Sequence, residues 1–121
     1  MANTFKVISF AAEPASAGTA YKMYTVAASA TTVVLGLILT NIHTTSITVE
    51  VELHSDTASR GGDNDVTNGI SYLVKDVTIP AGSSLELLSG GKVVMEATDE
   101  LKIDCSIADK VSGTLTIMEI T

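Results

Sequence analysis

The sequence predicts an all-β protein: an antiparallel β-sandwich, jelly-roll-like, of about eight strands, with an immunoglobulin-like sandwich as the alternative. Three observations carry that prediction. Val, Ile and Thr are gathered in short runs, turn residues punctuate those runs every ten or so positions, and no window of ten or more residues shows a capped apolar stripe of helical period. The immunoglobulin alternative lacks its Cys…Trp…Cys signature, since the chain has one Cys and no Trp.

Residues 5–10 and 21–27 are short β-type runs that are apolar on both faces. Residues 32–42 are the strongest such run, interrupted only by Gly36. Antiparallel sandwiches normally leave one sheet face to water, so two-sided runs imply a partner subunit or a loop folded over the sheet. Residues 46–54 alternate cleanly, with Ile47, Val49, Val51 and Leu53 on one face and Thr48, Glu50, Glu52 and His54 on the other. Successive side chains of a strand point to opposite faces, so this is a half-buried strand. Residues 70–79 form the next strand and end at Pro80-Ala81-Gly82, where proline cannot donate to a ladder and glycine permits positive φ. Short strands follow at 83–88 and 92–95, joined by a tight connection at Ser89-Gly90-Gly91. Residues 101–107 alternate again, with Cys105 in phase with the apolar positions, which reads as a small core residue. In residues 113–120, Leu115 and Ile117 share one face while Met118 and Ile120 lie on the other, so either a bulge switches the phase or both faces are covered.

Length and composition bound the organisation. The 121 residues suit one domain spanning 1–121, with 1–20 as an N-terminal arm or edge strand. Ala11–Gly18 is a hinge candidate for exchanging that arm between copies. Charged residues are only 17% of the chain, below the usual quarter, and mean hydropathy is +0.36. Some surface is therefore expected to lie under another chain, with Val33, Val34, Leu35, Leu37 and Leu39 as the candidate interface. The net charge is −7, with seven basic residues scattered among fourteen acidic ones, which argues against nucleic acid and anionic membranes as partners. The N-terminus lacks a signal-peptide pattern, and the seven-residue apolar run 33–39 falls far short of the roughly twenty residues that cross a bilayer.

No catalytic constellation, cofactor loop or zinc spacing is legible. His43 lies in a predicted turn and His54 on a polar strand face, and a lone Cys offers no cluster. The Gly61-Gly62 and Gly90-Gly91 pairs open no phosphate-binding helix. The reading is therefore no enzyme and no cofactor. Residues 55–69 are the candidate binding loop, carried by Arg60, Asp63, Asn64, Asp65 and Asn68. The oxygens of Asp56, Asp63, Asn64, Asp65 and Asn68 could ligate calcium, but the alternating acidic pattern breaks at Thr67 and Asn68, and turn chemistry explains them as well.

Several phrases carry a resemblance. They are Tyr24–Ala27, Thr31–Ile42, Ile47–Val51, Tyr72–Glu86, Glu96–Leu101 and Leu115–Ile120, with Ile79-Pro80-Ala81-Gly82-Ser83 the most distinctive. Together they make the chain, from about Tyr21 onward, resemble small virion structural proteins of tailed bacteriophages, marine and cyanobacterial ones especially. The resemblance implies a capsid decoration or cement protein, or a neck, tail or fibre accessory protein. Its expected partners are other copies of itself, a trimer in particular, and virion proteins such as the major capsid protein. Its expected location is the virion, assembled in the host cytoplasm. The alternative function is a module that binds a glycan or host surface through the 55–69 loop.

Overall fold

The structure, a computed structural model, describes residues 2–55, 69–88 and 92–121. The expected binding loop, with Arg60, Asp63, Asn64, Asp65 and Asn68, lies outside the described residues, as does the Ser89-Gly90-Gly91 connection. Nine strands are described: β1 (Asn3–Glu13), β2 (Tyr21–Thr25), β3 (Thr31–Asn41), β4 (Ile47–Ser55), β5 (Gly69–Ile79), β6 (Ser84–Leu87), β7 (Val93–Met95), β8 (Glu100–Cys105) and β9 (Val111–Ile120). Among the described residues no helix is long and apolar enough to cross a membrane.

The strands form two antiparallel sheets. One runs β1-β9-β3-β6, with β7 continuing beside β3, and the other runs β2-β8-β4-β5. The pairs β1·β9, β2·β8, β3·β6/β7 and β4·β5 are successive rungs of one long antiparallel ribbon. Rolled up so that β9 also meets β3 and β8 also meets β4, that ribbon is a jelly-roll sandwich. This order is not the immunoglobulin one, in which the first strand pairs with the second.

The core lies between the sheets. Val34, Leu37 and Leu39 of β3, with Leu115 and Ile117 of β9, face Ile47, Val49 and Val51 of β4 and Leu101 and Ile103 of β8, all at 2% exposure or less. Cys105 is buried beside them. Removing a branched aliphatic side chain from such a core typically costs about 2–5 kcal/mol.

The two-sided appearance of β3 comes from a bulge. Val34 pairs with Ile117 but Gly36 pairs with Thr116, so Leu35 is the extra residue. Before the bulge the buried positions are Thr32 and Val34; after it they are Leu37, Leu39 and Asn41. Three of the five residues expected at a partner interface, Val34, Leu37 and Leu39, are thus the domain's own core and correct that expectation. A similar shift in β2 buries both Met23 and Tyr24. In β5, Lys75 and Asp76 together stand opposite Glu50, and Asp76 takes φ 53°, a conformation Asp tolerates. In β9 the register with β1 runs unbroken from Gly113 to Ile120. Its Met118 and Ile120 therefore lie on the outer face of the sheet.

Candidate interaction surface

The two outer faces differ sharply in chemistry. On the β2-β8-β4-β5 sheet the outer positions of β4 and β8 are mostly charged, with exposed Ile70 and Tyr72 of β5 beside them. Glu50 stands opposite Asp104, Glu52 opposite Lys102, and His54 opposite Glu100. Lys75 donates to Glu50 at 2.9 Å, and His54 Nε2 lies 2.8 Å from Glu52 Oε1. Lys22 and Lys102 reach Glu100 at 3.5 and 3.7 Å. Lys75 also sits 4.5 Å above the Tyr72 ring, and the Glu50 hydrogen bond raises its pKa. This is an ordinary solvated strand face.

The outer face of the other sheet is apolar. Antiparallel register places Phe5 of β1, Met118 of β9, Val33 of β3 and Val94 of β7 in one row across four strands. Phe5 is 70% exposed and Val94 57%. One step along lies the row Val7–Thr116–Gly36, with Val7 68% exposed. Beyond it lies Ser9–Thr114–Ile38–Glu86, and on the other side Asn3–Ile120–Thr31. Val33, Leu35, Met118 and Ile120 are partly covered, yet none belongs to the core or packs against it. Glu86 is the one charged residue in these four rows; Lys92 and Glu96 flank Val94 at the rim. Exposed apolar residues are common singly, but a contiguous row across a sheet marks a contact surface.

Of the residues expected at an interface, the structure therefore brings only Val33 and Leu35 to this surface. Phe5, Val7 and Val94 were not singled out by the sequence, and Met118 was placed on the opposite face of its strand without being assigned to an interface. Their signal, an apolar residue at alternate positions of an edge strand, is visible in 5–10 only as a two-sided run.

Between the sheets at one end, a polar cluster replaces apolar packing. Lys6 pairs with Glu119 at 2.7 Å, and the Tyr24 hydroxyl donates to Glu119 at 2.6 Å. With its one proton committed, the Tyr24 oxygen accepts from Thr32, 2.7 Å away. Lys6 and then Tyr24 hold the Glu119 carboxyl below the usual carboxylate range. Burial, reinforced by the Glu119 bond, pushes Tyr24 up to about 12. The cluster ties β1, β2, β3 and β9 together and, with the Glu119 carboxyl largely covered and Lys6 at its outer end, serves the fold. At the other end Asn41 does similar work: its Nδ2 donates to the Thr45 and Ile79 carbonyls, both at 2.9 Å, and its Oδ1 accepts from His43 N–H at 2.7 Å.

A shallow depression of about 360 Å³ lies on the charged side, where Gly18, Glu50, Asp76 and Asp104 meet. Two of its carboxylates are already engaged: Asp104 accepts from Gly18 and Cys105 N–H, and Glu50 from Lys75. Among the described residues no group of three or more His, Cys, Asp or Glu is placed to hold a metal ion.

No family model, curated protein or solved structure matches the chain.

Proposed function

We propose that this protein is a non-enzymatic structural subunit of a bacteriophage virion, a capsid decoration or cement protein or a neck, tail or fibre accessory, working through protein–protein contact. The observation that carries the reading is the exposed apolar row Phe5–Met118–Val33–Val94 on the outer face of one sheet. Contiguous exposed apolar patches of this size on a folded protein are often functional contact sites. The jelly-roll winding supports the reading, since viral capsid domains use it widely, although the same winding serves lectins and cupins. The phrase resemblance of residues 21–120 to small phage virion proteins points to the particle as the place where the contact is made.

The test is location. An antibody raised against the purified chain is applied to purified virions from the source that encodes it, with gold labelling read by electron microscopy. Regular label on capsid, neck, tail or fibre supports the proposal and selects among those positions. Particles that carry no label, while the same antibody detects the protein in the surrounding lysate, would refute it.

A further inference from the structure

The chemistry and relief of the apolar face indicate what covers it. The part of the face that β1, β9 and β3 present spans three strands about 4.8 Å apart and roughly ten residues at about 3.4 Å each, a footprint of about 500 Å². Two such faces in contact bury about 1,000 Å², the size of a weak, reversible interface. Charge narrows the choice of partner. Two copies of a chain with net charge −7 repel one another over most approaches. Approach through these rows brings one acidic residue per copy, Glu86, toward the contact. The other outer sheet face carries Glu50, Glu52, Glu100 and Asp104. That face also exposes Ile70 and Tyr72, but they stand beside His54, Glu52 and Lys75, so the most extended apolar surface of a second copy among the described residues is the same β1-β9-β3 face. Self-matching surfaces pair about a two-fold axis.

Relief supports the same pairing. Phe5 and Val7 protrude from β1. Two strands away, Gly36 sits in the Val7–Thr116 row with no side chain, and a Cβ built there would meet nothing within 4 Å. A two-fold axis lying along β9 carries β1 of each copy over β3 of the other. Val7 then meets the gap at Gly36, and Phe5 meets Val33. Sheets packed face to face lie about 10 Å apart, which leaves room for one interdigitated layer of side chains.

We infer that the outer face of the β1-β9-β3 sheet is closed by a second copy of this chain, in a two-fold dimer in which the β1 ridge of each copy packs into the Gly36 gap of the other. The inference rests on the reading of that face as a contact surface.

The experiment is light scattering and sedimentation equilibrium on the full chain over about a hundredfold range of concentration. The wild type is expected at twice 12.5 kDa, dissociating on dilution. Phe5→Asp and Val33→Asp place a charge in the contact, where the two side chains meet, and are expected to be monomeric. Thr78→Asp, on the charged sheet, is expected to dimerise as the wild type does. Gly36→Leu separates this arrangement from general stickiness. The monomer has space for the new side chain, so the variant should fold, and the filled gap should weaken the dimer at least about tenfold. Circular dichroism and melting of each variant confirm folding, and a variant that does not fold is replaced by Val7→Asp or Gly36→Val. A wild-type monomer at the highest concentration, a trimer, or a Gly36→Leu dimer as tight as the wild type would overturn the inference. A monomer that still labels virions would remove the dimer and leave the virion reading intact. A dimer absent from virions would do the reverse.

Discussion

At the scale of single residues, the Lys6–Glu119–Tyr24–Thr32 cluster makes stability depend on pH in two windows. Glu119 has a lowered pKa in the folded state, so it favours folding above the ordinary carboxylate range, near 4.3, and that contribution is lost as pH falls through the lowered value. Tyr24 has a raised pKa, so its contribution is complete below about 10 and is lost as pH rises through about 12. Urea midpoints measured from pH 3 to 7 should show an acid-side slope that flattens in Glu119→Gln. A phenol absorbance step near pH 12 in the folded protein should be missing from Tyr24→Phe. At neutral pH, Tyr24→Phe should cost about 1–2 kcal/mol, because the Glu119 carboxylate loses a donor in a largely covered site. A midpoint unchanged by the substitution would show that water replaces the phenol without loss.

At the scale of elements, strand position sets local stability. β9 is paired on both sides, by β1 and β3, and β8 by β2 and β4. Among the described residues, β1 and β5 each pair along one edge only. Amides in the middle of β9 should therefore exchange only through global opening, and amides on the free edge of β1 at least about a hundredfold faster. Native-state hydrogen exchange by NMR reads this directly, and equal protection of the two would mean that the β1 edge is covered, as a neighbouring subunit could do. These strand positions were largely legible in the sequence. Alternation at 47–53 and the Pro80-Ala81-Gly82 turn place β4 and the end of β5 without reference to any partner. The division of 32–42 between core and surface was not legible. It turns on the extra residue Leu35, and a bulge is defined by its pairing with β9, which no local window contains. Read without that shift, Val34, Leu37 and Leu39 fall together with Val33 and Leu35, and core merges with contact face. The inter-sheet role of Glu119 was hidden for a related reason. A carboxylate in an apolar strand becomes intelligible only once Lys6 and Tyr24 are brought beside it from more than 90 residues away in sequence.

At the scale of the whole molecule, two opposing forces act on any self-association. The apolar rows favour it in proportion to the area removed from water, about 25 cal/mol per Å² before the cost of immobilising two bodies. The net charge of −7 on each copy opposes it. Long-range repulsion between exposed charges is screened beyond about 30 Å at 0.01 M salt and about 10 Å at 0.1 M. Added salt should therefore weaken the opposing term while leaving the apolar one in place, and sulfate should strengthen the apolar one further. The dimer Kd is expected to fall severalfold between about 0.01 and 0.1 M sodium chloride, and again on replacing chloride by sulfate at equal ionic strength. The opposite trend, dissociation by salt, would mean that ion pairs hold the contact. That would move the partner surface from the Phe5–Val94 row to the charged sheet carrying Glu50 and Lys102, where salt bridges rather than apolar area would set the affinity.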